Sequence, residues 1–208
     1  MLAGVNGAGK SSIGGAALRA SGTDYYNPDE AARAIRRDNR ALSQHEANSR
    51  AWQAGVDLLR RAIDEHKDFN FESTLGANTI PRMLAEAADG GAAVHVWFVG
   101  LEGVELHLAR VRARVKAGGH DIPEADIRRR YDGSRENLVL LMPKLASLRI
   151  YDNSTEGDPV QGGRPKPRLT MHLEHGRIIA PSNLRVTPSW AKALVAKAIE
   201  ISEPGRAR

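Results

Sequence analysis

Apolar residues along the chain fall into short runs that alternate with longer stretches of helical spacing. Met1 to Val5 reads as a very short buried strand, followed by a glycine-rich turn and a helix from Ser11 to Arg19. Asp24 to Asn27 reads as a short second strand. Pro28 suits the first turn of the next helix, where a missing N–H costs nothing. Between Ser43 and Lys67, Trp52, Val56, Leu59 and Ile63 recur at helical spacing. Phe69 to Thr74 reads as a strand, and Ile80 to Ala88 as a helix stopped by Gly90-Gly91. Ala93 to Leu101 is a near-continuous apolar run, the pattern of a parallel strand buried on both faces.

Glu102 to Lys116 predicts a helix with Val104, Leu108, Val111 and Val115 on one face, ended by Gly118-Gly119. Pro123 opens another, in which Ile127, Tyr131, Ser134, Leu138 and Leu141 recur until Pro143. Leu148 to Tyr151 reads as a fifth strand. Glu156 to Arg168 reads as a loop rich in Gly, Pro and charge. Leu169 to Ile179 reads as a hairpin with Gly176 in its turn. Trp190, Leu194, Ala198 and Ile201 mark a last amphipathic helix. Alternating strands and helices indicate an α/β fold with a mainly parallel sheet. Nothing marks a second core or an internal repeat. The expectation is one domain over residues 1–208, with the hairpin and last helix as a small C-terminal elaboration.

Candidate chemistry begins at Gly4-Val5-Asn6-Gly7-Ala8-Gly9-Lys10-Ser11, which matches the phosphate-loop pattern GxxxxGK[ST] in full. Its glycines let the backbone curl so that successive N–H groups face one phosphate chain. Asn6, Gly7, Ala8, Gly9, Lys10, Ser11 and Ser12 are therefore the expected nucleotide-binding residues. Lys10 reaches the β and γ oxygens and Ser11 takes a Mg²⁺ position. The helix that begins at Ser11 adds its positive end. ATP and Mg²⁺ are the implied cofactors.

A GTPase would be expected to carry Asn-Lys-x-Asp and DxxG strings, and neither occurs. The strand ending at Leu101 also lacks a terminal aspartate, so acidic residues must come from elsewhere. Asp29 follows the second predicted strand and Glu72 sits at the end of Phe69-Asn70-Phe71-Glu72. In doubly wound folds ligands lie beyond the carboxyl ends of strands. One of these carboxylates could take a proton from an acceptor hydroxyl, and the other could hold Mg²⁺ or the acceptor.

Arginines concentrate between Arg110 and Arg135. Arg110 and Arg114, four apart, share one flank of their helix and Arg112 lies on the other. Arginines on a mobile cover can stabilise the charge of a transferring phosphoryl group, and Gly118-Gly119 offers a joint. The expected lid spans about residues 103–142. A solvated basic helix face is the plainer alternative. His120, in the turn, is a candidate ligand contact. His172 and His175 point to opposite faces of a predicted strand and make no metal site.

Composition narrows this further. The net charge is +5 and the pI about 9.7. Nucleic acid is one reading of such a chain, but no aromatic stacking platform accompanies the basic segment. The absence of cysteine excludes disulfides, thiol nucleophiles and thiolate metal sites. No apolar run approaches the ~20 residues of a membrane span. No export leader opens the chain, so the expected location is the cytoplasm.

Together these stretches resemble the zeta toxin family of P-loop kinases. The resemblance rests on Gly4 to Ser12, Asn27-Pro28-Asp29, Phe71-Glu72-Ser73-Thr74, Val99-Gly100-Leu101, Arg110-Val111 and Arg114-Val115. It continues through Gly118-Gly119-His120-Asp121-Ile122-Pro123, Ile127, Arg129-Arg130-Tyr131, Ser134, Asn137-Leu138 and Tyr151-Asp152-Asn153-Ser154. It covers about residues 1–155.

The resemblance implies a parallel five-stranded kinase sheet and ATP-dependent phosphorylation of the 3′-hydroxyl of UDP-N-acetylglucosamine. It also implies a toxin held inactive by an antitoxin, on a separate chain or fused. Carried over by position, Lys10 binds phosphate, Asp29 is the general base, and Glu72 and Thr74 hold the sugar nucleotide. Arg110 or Arg114, with a residue near His120 or Arg128, contacts the transferring phosphate. Some relatives carry arginine where His120 falls. Other members of the family use other acceptors, including a nicotinamide dinucleotide. A kinase for another small metabolite is therefore the second reading. A nucleic-acid-binding ATPase, supported by the basic pI alone, is the third.

Overall fold

The computed structural model describes residues 1–15, 25–155 and 167–203. Its strands are β1 (Leu2–Ala3), β2 (Glu72–Ser73), β3 (His95–Gly100), β4 (Ser147–Asp152), β5 (Arg168–Glu174) and β6 (Arg177–Ala180). They form one sheet in the order β2-β1-β3-β4-β5-β6. The first four are parallel, with Leu2 opposite both Glu72 and Trp97, and Gly100 opposite Asp152. β5 then pairs antiparallel with β4, and β6 with β5. The C-terminal hairpin is thus a continuation of the main sheet.

The segment expected as a further parallel strand reduces to a single bridge between Tyr26 and Phe71. Asn27 ends it. Its side chain accepts from the Asp29 and Glu30 N–H groups and caps α1 (Pro28–Asp38). Its carbonyl accepts from the Glu30 and Ala31 N–H groups and so is committed to the helix and not to a strand ladder.

The other helices are α2 (Gln44–Asp64), α3 (Thr79–Asp89), α4 (Val104–Lys116), α5 (Glu124–Leu141) and α6 (Lys192–Ser202). Ser43 and Glu46 form a capping box that starts α2. The Gly118 and Gly119 N–H groups bond the Val115 and Arg114 carbonyls and close α4. After the phosphate loop, Ser11–Gly15 form one wide π-type turn, and the remainder of the helix expected there lies outside the described residues. So does most of the loop expected over 156–168; Arg168 itself begins β5.

The main core joins Val96, Phe98, Leu148, Ile150, Met171 and Leu173 of the sheet to residues of α2, α3, α5 and α6. A separate cluster of Val5, Leu108, Val111, Ile122 and Ile127 seals α4 and α5 onto the start of the phosphate loop. Each such buried side chain is worth about 1.5–3 kcal/mol. Within the stripe expected on α2, Val56 and Leu59 are buried, but Trp52 is 44% exposed. Among the described residues no helix is long and apolar enough to cross a membrane.

Candidate functional site: a phosphate loop between two clefts

The carboxyl ends of the parallel strands gather at one edge of the sheet. β1 runs directly into the phosphate loop there. Gly4 has φ +138°, and a Cβ on it would lie 2.2 Å from the Val99 carbonyl, so only glycine lets the loop leave β1 against β3. The turn closes through Ala8 N–H to Val5 O, 3.1 Å, and Ile13 N–H to Gly9 O, 3.1 Å. From the end of β4, Asn153 donates to the Ala8 carbonyl at 2.8 Å and accepts from Arg110 at its own carbonyl, also at 2.8 Å.

Lys10 is 7% exposed, with its ammonium 3.4 Å from the Glu72 carboxylate and 3.5 Å from the Val5 carbonyl. The Ser11 hydroxyl donates to the other Glu72 oxygen at 2.9 Å, and Asn27 approaches the same oxygen at 3.4 Å. Glu72 is therefore directed at the phosphate loop. β2 places it there because Leu2 and Glu72 are register partners. It brings a carboxylate to the loop from β2, on the side of β1 away from β3.

A cleft of about 940 Å³ lies over the loop, lined by Lys10, Ser11, Asp29, Arg110, Arg114 and His120, among others. A second, of about 480 Å³, lies beside it and includes Tyr26, Trp52, Phe71, Thr74 and Arg130. Lys10, Asp29, Glu72 and His120 line both. Asp29 sits at this junction, its carboxylate 3.7 Å from Arg114 and 3.8 Å from His120 Nε2. Burial pulls the His120 pKa down, Asp29 opposes that and Arg114 reinforces it.

The structure brings most of the expected residues together. Asn6, Gly7, Gly9, Lys10 and Ser11 line the phosphate cleft, and Ala8 is wholly buried beneath it. The Ser12 side chain lies outside the described residues. Arg110 and Arg114 face the cleft while Arg112 pairs with Glu124 on the outer side. Thr74 lines only the aromatic cleft. Arg128 is not brought in: it pairs with Glu105 and Glu124 at the surface. Arg130, two residues on, turns inward and donates to Asn6 Oδ1 at 2.9 Å.

Other residues of the clefts carried weaker signals. Arg33 and Arg36 line the phosphate cleft, and Arg33 donates to the Asp29 carbonyl at 3.2 Å. Their spacing of four and seven from Asp29 puts them on its helix face. Trp52 breaks the buried stripe because it faces a cleft. His107 is 1% exposed and 2.8 Å from the Asn6 carbonyl. It lies three before Arg110 and seven before Arg114, on the face the sequence already marks.

No family model matches the sequence. A protein of Haemophilus influenzae, described as uncharacterized, is 35% identical over 133 residues, which span 62% of this chain and 88% of that protein. Among solved structures, a chain of AvrRxo1-ORF1:-ORF2 with ATP superposes with a TM-score of 0.65 at 15% identity. The match covers 95% of this chain and 62% of that one, so this chain spans less than two thirds of its length. A chain of the native AvrRxo1-ORF1:-ORF2 complex gives 0.63 at 16% identity, covering 96% and 69%. A chain from the PezAT chromosomal toxin-antitoxin system of Streptococcus pneumoniae gives 0.53 at 14% identity, covering 73% and 65%. At these identities the likeness is one of fold.

Proposed function

The chain belongs to the same family as the Haemophilus influenzae protein and has a zeta-toxin-like P-loop kinase fold, and from that premise we propose that it is an ATP-dependent kinase of a small hydroxyl-bearing acceptor. The observation that carries this is the junction of two clefts at Asp29, one built on a phosphate loop and the other on aromatic and polar side chains. Donor and acceptor can meet there, where Lys10, Glu72 and His120 also line both clefts. We further propose that residues 1–208 act as one kinase domain, with the lid within about 103–142.

In this reading Asp29 takes the acceptor's hydroxyl proton as that oxygen bonds the γ-phosphorus and the bond to the β-phosphate oxygen breaks. Lys10, Arg110 and Arg114 stabilise the negative charge spread over the transferring group. The Ser11 hydroxyl and the Glu72 carboxylate stand side by side and fit a Mg²⁺ ion. When bound, the ion neutralises phosphate charge. Arg130 and Thr74 hold the acceptor in the second cleft, and Trp52 offers it a flat apolar face.

UDP-N-acetylglucosamine, phosphorylated at its 3′-hydroxyl, is the first acceptor to test, on the family resemblance. The AvrRxo1 structure holds ATP, and both it and PezAT are two-component systems by their descriptions. They support ATP as donor and an antitoxin as partner. The test is incubation with ATP, Mg²⁺ and a panel of nucleotide sugars, dinucleotides and nucleosides, followed by mass measurement. One added phosphate on UDP-N-acetylglucosamine is the expected result. Product on a dinucleotide alone would reassign the acceptor. No product, with ATP turnover stimulated by nucleic acid, would overturn the kinase reading.

A further inference from the structure

The first half of α4 is not a free cover. It is bonded to the phosphate loop by a histidine with no place in the phosphate-loop pattern. His107 Nδ1 lies 2.8 Å from the Asn6 carbonyl oxygen. A carbonyl only accepts, so Nδ1 carries the hydrogen. The ring is 1% exposed and stands edge-on to Tyr131 of α5, centroids 5.5 Å apart. Arg135 covers the Tyr131 ring at 3.9 Å. Around the histidine, Leu108 and Val111 pack with Val5, Ile122 and Ile127. The backbone is equally close: a Cβ on Gly7, which has φ +83°, would lie 2.8 Å from the His107 carbonyl.

The Asn6–Gly7 peptide is planar and trans, so its C=O and N–H point in opposite directions. Holding the Asn6 oxygen against α4 therefore fixes the Gly7 N–H away from α4. Asn6 and Gly7 both line the phosphate cleft. From the other side, Arg130 of α5 donates to Asn6 Oδ1 at 2.9 Å. One residue of the loop is thus gripped by both helices.

We propose that His107 is a positioning residue of the nucleotide site, setting the Asn6–Gly7 peptide so that its N–H is oriented before nucleotide arrives. The inference rests on the ATP-binding reading above. It also divides the lid. The part of α4 up to Val111, and α5 with Ile122 before it, belong to the fixed frame of the site, and movement is confined to the segment between Val111 and Ile122, turning on Gly118-Gly119.

The anchor is built to hold over a wide pH range. Burial first, and then the positive charges of Lys10, Arg110 and Arg135, push the His107 pKa down to about 4, against the pull of the Asn6 carbonyl. Tyr131 is the other titratable group on the ring. The imidazole therefore stays neutral, with its hydrogen on the nitrogen that faces the loop, through the physiological range.

The test uses two variants of the full chain and one measurement on the wild type. His107→Asn keeps an N–H donor at the same distance along the side chain. His107→Leu keeps bulk and loses the donor. Both are checked by thermal melts. Dissociation constants for a non-hydrolysable ATP analogue and KM for the acceptor are then measured. The expected result is analogue binding weakened about 10–100-fold in His107→Leu, restored to within about threefold in His107→Asn, with acceptor KM unchanged in both.

Equal affinity in His107→Leu and wild type would overturn the proposal. So would equal weakening in both variants, which would mean packing alone. Hydrogen exchange in the wild type supplies an arm that needs no variant: residues 104–111 should keep the same protection when the analogue binds, while 114–121 gain it. Analogue-dependent change throughout 104–111 would also overturn the proposal. A wild-type chain that binds no nucleotide would overturn the ATP reading and this inference together, and the binding measurement separates that case from the others.

Discussion

Replacing Glu72 by glutamine perturbs the site at its buried ion pair. The Glu72 carboxylate lies 3.4 Å from the Lys10 ammonium, and the two side chains are 9% and 8% exposed. Glutamine keeps the size and one acceptor oxygen for Ser11 but removes the anion. The ammonium is then left in the interior with only the Val5 carbonyl, 3.5 Å away. Breaking one side of a buried pair costs about 3–5 kcal/mol. The lower end applies, because that carbonyl remains. For a domain of this size about 3 kcal/mol lowers the Tm by roughly 6–12 °C. A nucleotide brings back the missing negative charge, so metal-free ATP should raise the Tm of the variant more than that of the wild type. Added Mg²⁺ should then raise it less, because the carboxylate beside Ser11 is gone. Thermal melts of both proteins, alone, with ATP and EDTA, and with ATP and Mg²⁺, read all of this. Equal melting temperatures without nucleotide would show that Lys10 does not depend on Glu72. An undiminished Mg²⁺ increment would remove Glu72 from the metal site.

Lys10→Ala should leave the fold intact and slow transfer on the order of 10²–10³-fold, and transfer at the wild-type rate would refute the phosphate-loop assignment. Arg130→Ala should slow transfer about 10–100-fold, whereas Arg128→Ala, which breaks only surface ion pairs, should change it less than about twofold; the reverse order in steady-state assays would refute the placement of these arginines. His107 has its pKa lowered from 6.5 to about 4 by burial, so the unfolded chain binds the proton more readily between those values. Its contribution is complete above pH 6.5 and is lost, about 3 kcal/mol in all, as pH falls toward 4. The difference in Tm between wild type and His107→Asn should narrow over that window, and a constant difference would contradict it.

The sequence and the structure agree where one local rule decides. The phosphate loop is a contiguous string, and Gly118-Gly119 ends α4 by backbone geometry alone. They diverge where a partner distant in sequence decides. Arg128 and Arg130, two apart, lie on different faces of α5, and spacing alone does not say which face meets the cleft. Glu105 and Glu124 draw one outward, and Asn6, 124 residues away, draws the other inward. Trp52 shares the spacing of Val56 and Leu59, but it lines the aromatic cleft and stays half exposed. The hairpin was legible as a hairpin; its pairing to β4 was not, because strand order is a tertiary property. Glu72 could be placed at the end of a strand. Its direction toward Ser11 follows from which strand lies beside β1.

Asp29 serves the acceptor at the meeting point of the two clefts in the proposed reaction. The most direct measurement takes Asp29→Asn with ATP, Mg²⁺ and the acceptor, and determines nucleotide affinity and single-turnover phosphoryl transfer on the same preparation. Near-normal nucleotide affinity with transfer slowed about 10²–10⁴-fold is the predicted result. Loss of nucleotide binding would make Asp29 a residue of the nucleotide site, and transfer at the wild-type rate would leave the junction without a base; either would contradict the account.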